Sequence, residues 1–302
     1  MIQICLTKFT NGPWEEMTIK AFNKALSYYK NKFEIDIIKG YPQKKYDIII
    51  LVGIRSIVKR KLDPNKILPY CKKLVDMGDS GMDPRNNFED LYFYFLPSKN
   101  KLYDHYVYLP KYIIPEKLYP EKFNDDKLTI YVDHFKYQNE DEREMSIKAI
   151  NKVFYLIRNS NIPLRVFYHT SKGIELNRLT PEITKTNVQI AKYLTFDEIA
   201  KYYRKTDIFF PTHRETQGMV AQEIAACGGI TILQEWMYPK NTLSQFAHIL
   251  YKENDDIDFL SIKNNIKNIT HQEIRNNTLR KCNFENFRNT LCQSLINLIE
   301  NN

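Results

Sequence analysis

The sequence predicts an α/β protein of two domains, each a parallel β-sheet with crossover helices. At 302 residues, the chain is longer than a single small core requires. Apolar runs of strand length alternate with amphipathic helical segments along the whole chain. The alternation restarts after a segment in which Pro110, Pro115 and Pro120 break regular structure. We therefore expect a domain over residues 1–112, a linker over 113–124 and a second domain over 125–283.

The first domain begins with a strand and an amphipathic helix. The helix is expected over Glu15–Asn31, because Pro13 precedes it and Phe22, Ala25 and Leu26 share one face. A short helix is expected after Asp63-Pro64. The predicted strands are Ile2–Leu6, Phe33–Ile38, Asp47–Val52, Lys73–Met77, Tyr92–Leu96 and His105–Leu109.

The second domain repeats this order. Glu140–Arg158 is a predicted helix with one apolar side, and Thr195-Phe-Asp-Glu198 is a capping box that opens a helix to Arg204. Gly218–Cys227 predicts a short helix, and the tail from His271 predicts two helices broken near Cys282. The predicted strands are Leu128–Val132, Leu164–Tyr168, Val188–Tyr193, Asp207–Pro211 and Ile230–Leu233.

Composition narrows the class of protein. The hydrophobic fraction is 43%, as in globular proteins, and the longest apolar run, Asp47–Gly53, is too short to span a bilayer. The N-terminus lacks the pattern of a signal peptide, so we expect a cytoplasmic protein. Five scattered cysteines predict neither a disulfide framework nor a zinc site, and six histidines show no metal-ligand spacing. We expect no metal and no cofactor.

Positive charge concentrates in the first domain. Residues 1–112 hold 19 Lys and Arg against 12 Asp and Glu, and the other 190 residues hold 25 against 24. A basic surface favours anionic partners such as nucleic acid, acidic lipid headgroups or phosphorylated acceptors. The alternative is a solvated lysine-rich surface without a partner.

The segment from Asp207 to Leu233 carries the clearest chemical signal. An apolar strand is followed by Glu215 and Gly218, then by a short helix that contains Glu223. Gly228-Gly229 and a second apolar strand come next. A helix that starts at Gly218 presents unpaired amides of roughly half a positive charge, which suit a diphosphate. Glu215 and Glu223 can accept hydrogen bonds from sugar and ribose hydroxyls. The alternative is two surface carboxylates that flank a helix start.

This segment resembles the signature of retaining GT-B glycosyltransferases, family 4 or group 1-like, written Glu-x-Phe-Gly-x-x-x-x-Glu. The resemblance is specific over residues 187–233 and looser elsewhere. It implies two Rossmann-like domains facing a cleft (the GT-B fold), with residues 284–302 forming a helix that returns to the first domain. It also implies a metal-independent hexosyltransferase that uses a nucleotide-sugar as co-substrate.

The resemblance implies roles for individual residues. Glu215 would stabilise positive charge on the donor sugar, Glu223 would hold the ribose, and amides near Gly218, Met219 and Val220 would bind the diphosphate. The sequence departs from the family where an Arg and a Lys usually follow the first strand of the second domain. The candidate replacements are His134, Lys136, Arg143, Arg165, Lys172 and Arg214.

Weaker signals lie in the first domain. Asn11 and Gly12 follow the first strand and are candidates for the acceptor side, or form a turn into a helix. Asp79 is a candidate for acceptor contact or for a base, or belongs to an acidic turn. His105 is a third acceptor-side candidate, or is structural. Asp256-Ile-Asp258 is interpreted as helix-capping acids rather than a metal site.

The sequence therefore predicts a glycosyltransferase that uses a nucleotide-sugar donor, with an unknown acceptor, either glycolipid or nucleic acid, and at most peripheral membrane contact. One alternative is a catalytically degenerate relative that binds nucleic acid or membrane through its basic domain. A second enzymatic alternative is an epimerase or phosphorylase on the same fold.

Overall fold

A computed structural model describes most of the chain. The chain divides into two compact units. The described residues are 1–10, 13–54, 61–80, 87–96, 101–134, 140–170, 188–191, 194–214, 218–238 and 240–300. The N-terminal unit comprises Met1–Tyr112 and Cys282–Asn302, and the C-terminal unit comprises Ile113–Lys281. In the described part of each unit, six strands form a parallel sheet, so the predicted fold class is confirmed.

The N-terminal unit has the strand order β2-β1-β3-β4-β5-β6. Its strands are β1 (Ile2–Lys8), β2 (Phe33–Lys39), β3 (Tyr46–Ile54), β4 (Cys71–Ser80), β5 (Leu91–Leu96) and β6 (Tyr106–Tyr108). Its α-helices in the described part are α1 (Pro13–Ser27) and, from the end of the chain, α8 (Phe284–Glu300). Short 3-10 turns cover Pro64–Lys66 and Leu68–Tyr70.

The core of this unit follows from its central strands. Residues 48–52 of β3 are all fully buried, as expected for a parallel strand covered on both faces. Helix α8 packs on α1, where the rings of Phe22 and Phe287 lie 5.6 Å apart in an edge-to-face contact.

The C-terminal unit has the strand order β12-β11-β10-β7-β8-β9. Its strands are β7 (Leu128–His134), β8 (Leu164–Thr170), β9 (Val188–Ala191), β10 (Ile208–Phe210), β11 (Ile230–Leu233) and β12 (His248–Leu250). Its described α-helices are α2 (Glu140–Arg158), α3 (Phe196–Lys205), α4 (Met219–Ala226), α5 (Lys240–Leu243), α6 (Phe259–Asn268) and α7 (His271–Lys281), and a 3-10 turn covers Glu235–Met237.

Helices α2 and α6 cover one face of this sheet. One buried cluster joins both helices to alternate residues of the central strands. Helix α2 contributes Ile150, Val153 and Phe154, and α6 contributes Phe259 among others. Helix α3 begins with the predicted capping box, since Thr195 and Glu198 exchange hydrogen bonds. Asp258 caps α6 by accepting from two backbone amides, as the sequence predicts.

The segment 113–124 lies within the C-terminal unit. Arg275 of α7 donates hydrogen bonds to the carbonyls of Leu118, Pro115 and Ala226. Lys122 lies 3.8 Å from Asp207 at the start of β10. These bonds hold the segment at the amino ends of the strands, the opposite edge from their carboxyl ends.

Candidate functional site

The candidate site lies at the carboxyl ends of β7 and β10 in the C-terminal unit. The chain leaves β7 toward β8 and β9 on one side and returns to β10 on the other, so strand order reverses between β7 and β10. Ligands of parallel α/β sheets bind at such a point. The Thr212 hydroxyl donates to the carbonyl oxygen of Asp133 at 2.6 Å, which ties the two strand ends together.

Gly218 determines how the chain enters α4. It is the N-cap residue, with φ +63° and ψ 35°, in the left-handed region that favours glycine. A Cβ atom there would lie 2.7 Å from Cε1 of Tyr238 and 2.9 Å from Cγ2 of Thr242. A side chain does not fit without displacing these neighbours, so the helix N-terminus is held close to them. Met219 and Val220, which follow, are half-buried.

Glu223 lies on α4, about one and a half turns after Gly218. Only 6% of its surface is exposed. Tyr131 of β7 and Tyr203 of α3 are buried nearby. Burial raises the pKa of both hydroxyls well above the ordinary tyrosine value, and the charges of Glu223 and Asp133 add to the shifts. Both tyrosines are therefore neutral hydroxyl groups in a wall that also holds two carboxylates.

Asp133 and His213 form a pair that the sequence analysis did not identify. Asp133 at the end of β7 is fully buried, and its Oδ1 lies 3.7 Å from Nδ1 of His213, which follows β10. The available signal was an acid that closes the apolar strand 128–132. Its partner is 80 positions away, and only the sheet pairing of β7 with β10 brings the two together.

His169 at the end of β8 extends this group. Its Nδ1 lies 2.7 Å from the Tyr131 hydroxyl, and burial lowers the pKa of His169 to about 4. The imidazole is therefore neutral at pH 7. Because β7 pairs with both β8 and β10, the three strand ends bring His169, Tyr131, Asp133 and His213 to one edge of the sheet.

The remaining predicted C-terminal residues do not all lie at this edge of the sheet. Arg214 is exposed immediately after His213. His134 is the last residue of β7, so its backbone lies at the same sheet edge. Arg165 of β8 pairs with Asp125 at 2.6 Å, near the amino end of that strand. Arg143 lies near the start of α2. The predicted residues outside the described ranges are Glu215, Lys136 and Lys172.

The acceptor-side candidates belong to the N-terminal unit. Asn11 and Gly12 lie outside the described residues. The backbone of Asp79 lies near the carboxyl end of β4. His105 precedes β6, at the amino edge of its sheet, where its Nε2 lies 3.7 Å from the buried Glu89 carboxylate.

The described residues contain neither a metal-binding cluster nor a membrane-spanning helix. No group of three or more His, Cys, Asp or Glu side chains there is arranged to hold a metal ion. Within the same residues, no helix combines the length and apolar character needed to cross a membrane.

The fold matches solved structures over essentially the whole chain, although sequence identity is low. Sucrose-phosphate synthase from Thermosynechococcus elongatus superimposes with a TM-score of 0.66 at 11% identity, covering 100% of both chains. HepE from Anabaena, in complex with UDP and glucose, has a TM-score of 0.64 at 10% identity, covering 98% of this chain and 100% of its own. An assigned UDP-N-acetylglucosamine 2-epimerase from Listeria monocytogenes has a TM-score of 0.61 at 9% identity, covering 100% of this chain and 97% of its own.

These likenesses establish the fold. The neighbours include GT-B glycosyltransferases, and the two parallel-sheet domains of this chain correspond to theirs. No protein-family model matches the sequence, and no curated protein sequence matches it.

Proposed function

We propose that the protein is a retaining, metal-independent glycosyltransferase that uses a nucleotide-diphosphate sugar. The observation that carries the proposal is the entry to α4. A glycine that leaves no room for a side chain starts the helix at the point where strand order reverses, and a buried glutamate follows on the same helix. The likeness in fold to HepE, solved with UDP-glucose, supports the donor class.

Each part of the donor has a proposed partner. The amides at Gly218, Met219 and Val220 bind the diphosphate, since a helix N-terminus favours an anion. Glu223 accepts hydrogen bonds from the ribose diol, and Glu215 stabilises positive charge at the anomeric carbon. The bond from the anomeric carbon to the diphosphate oxygen breaks, the acceptor oxygen bonds to that carbon on the same face, and the leaving phosphate takes the acceptor proton.

The acceptor is proposed to be anionic, either a glycolipid or a nucleic acid. This rests on the charge balance of residues 1–112, which all belong to the N-terminal unit. An anionic acceptor predicts that its KM rises with salt, because ions screen exposed charges beyond about 8–10 Å. A KM that is independent of salt would exclude this part of the proposal.

Donor binding is tested with Glu223→Gln, which keeps the side-chain shape and removes the charge. A panel of nucleotide-sugars is incubated with the protein, and nucleotide release and donor affinity are measured with and without EDTA. Loss of charge-assisted hydrogen bonds, at about 1.5–3 kcal/mol, predicts donor binding weaker by about 10–100-fold. The matched control is Glu144→Gln, an exposed glutamate of α2, which should leave donor binding unchanged.

Two outcomes would replace the proposal, and a third would change one part of it. No binding of any nucleotide-sugar would favour a non-catalytic protein that binds through its basic domain. A sugar product formed without acceptor would favour the epimerase alternative, which the likeness in fold to the Listeria monocytogenes protein supports. Loss of activity with EDTA would contradict metal independence.

A further inference from the structure

A cavity lies in the C-terminal unit, at the carboxyl end of β11. Among the described residues, its lining includes neither Gly218 nor Glu223. It has a volume of about 650 Å³ and lies between α2 and the segments that follow β11 and β12. Met145, Lys148, Gln234, Trp236, Tyr251 and Glu253 are among the residues that line it. Sites for small molecules usually measure roughly 300–1,000 Å³, so one ligand of that size fits.

The indole of Trp236 is held in one orientation on the cavity wall. Its Nε1 donates to Oε1 of Gln234 at 2.6 Å. Gln234 is itself only 9% exposed, and its carboxamide nitrogen has no hydrogen bond within the described part of the chain. The wall therefore combines a half-buried aromatic ring with an amide nitrogen that donates to no other described residue.

The charges around the cavity cancel. Lys148 and Lys252 face it, and so do Glu235 and Glu253. Glu235 also pairs with Lys240 at 3.4 Å on the exposed side. An excess of one sign would select an ion. Balanced donors and acceptors instead suit a neutral ligand that carries several hydroxyl groups.

A neutral polyhydroxylated ligand must also bury its apolar side. Met145 and Ala149 of α2 and the ring of Trp236 supply apolar surface in the same cavity. One face of a pyranose ring carries C–H groups, and these pack on an aromatic face while the hydroxyls at the ring edge take hydrogen bonds. A nucleotide does not suit these features, because its phosphates would require net positive charge.

We propose that this cavity binds one neutral hexose unit of a glycan, at a site separate from the donor site. The sugar ring stacks on Trp236. Its hydroxyl groups accept hydrogen bonds from the Gln234 amide and the Lys148 ammonium group, and one hydroxyl donates to the Glu253 carboxylate. The proposal does not depend on glycosyl transfer, since a sugar can bind here whether or not the protein catalyses a reaction.

The test uses the fluorescence of Trp236. The chain has two tryptophans, so Trp14→Phe leaves Trp236 as the sole indole. The Trp14→Phe variant is titrated with the methyl glycosides of glucose, galactose, mannose and N-acetylglucosamine. Concentrations up to about 50 mM allow dissociation constants in the millimolar range to be measured. At least one glycoside should change the emission in a saturable way. The response should persist when UDP is present at a saturating concentration. It should also persist when Glu223→Gln is added to the protein.

A second variant, Gln234→Met, tests the proposed hydrogen bond, because it keeps the side-chain volume and removes the amide. Affinity for the glycoside should fall by about 3–10-fold, the effect of one lost hydrogen bond. Circular dichroism and the melting temperature confirm that the variant is folded. The proposal is overturned if no glycoside gives saturation, if UDP or Glu223→Gln removes the response, or if Gln234→Met binds as well as its parent.

Discussion

Replacing Gly218 with alanine tests the geometry on which the donor site depends. The left-handed backbone at φ +63° costs an L-residue about 1–2 kcal/mol. The added Cβ atom would lie 2.7 Å from Tyr238 and 2.9 Å from Thr242, and such overpacking costs about 1–3 kcal/mol. We expect Gly218→Ala to lower the free energy of unfolding of the C-terminal unit by about 2–5 kcal/mol.

Two other glycines separate backbone strain from overpacking. Gly40 has φ +94°, and a Cβ there would meet nothing within 4 Å, so Gly40→Ala should cost only the strain, about 1–2 kcal/mol. Gly228 has φ +79°, and a Cβ there would lie 2.6 Å from the backbone oxygen of His271. Because backbone yields less readily than side-chain ends, Gly228→Ala should cost at least as much as Gly218→Ala.

The assay is urea unfolding followed by tryptophan emission. Trp236 belongs to the C-terminal unit and Trp14 to the N-terminal unit, so a Trp→Phe replacement of either one leaves a reporter for the other unit. Gly218→Ala should also weaken nucleotide-sugar binding, because Tyr238 and the helix N-terminus must move apart, and Gly40→Ala should not. An unfolding cost for Gly218→Ala no larger than that for Gly40→Ala would refute the steric argument.

Two further predictions concern buried ionisable groups. The pKa of His169 is about 4 in the folded protein and 6.5 in the unfolded chain, so the unfolded chain binds a proton first as the pH falls. The contribution of His169 to the free energy of unfolding is therefore complete above pH 6.5 and is lost as the pH drops from 6.5 toward 4. Between pH 8 and pH 5 the loss should be about 2 kcal/mol, and an undiminished slope in His169→Gln would contradict it. The largely buried Lys122–Asp207 pair should show a coupling energy of about 1–3 kcal/mol in a double-mutant cycle of urea unfolding. The exposed Lys117–Asp197 pair should show at most about 1 kcal/mol, and equal couplings would refute the effect of burial.

Local patterns predicted most of the elements. Helix α2 has the predicted bounds, Glu140–Arg158, because its apolar stripe repeats at helical spacing and polar residues precede it. The capping box at Thr195 is present, because its bonds span only three residues. Most of the predicted strands fall within a few residues of their observed ends, which depend on pairing with neighbours rather than on the strand itself.

Strand β12 was not predicted. Its three residues, His248–Leu250, are exposed, and in the sequence they form neither an alternating pattern nor an apolar run of ordinary strand length. The strand exists because its backbone pairs with β11, where Thr231 lies opposite His248. Strand β4 likewise extends to Cys71 and Ser80, beyond the predicted Lys73–Met77, because β3 and β5 supply partners.

Some residues of the candidate site could be predicted from the sequence, and others could not. Gly218 and Glu223 could be named from the sequence, because the strand, helix start and second glutamate follow one another within one stretch of chain. Glu215 and the choice of phosphate-binding cation stay predictions, and so do the roles of Gly218 and Glu223. Asp133 could not be paired with His213, nor His169 with Tyr131, because each contact joins different strands.

Short-range order along the chain was sufficient to infer the type and sequence of the helices and strands, since periodicity and capping act over a few residues. The order of strands within each sheet, the partner of each buried polar group and the space beside Gly218 arise when distant segments pack together. Those features depend on which strand lies next to which, and no local pattern encodes that choice.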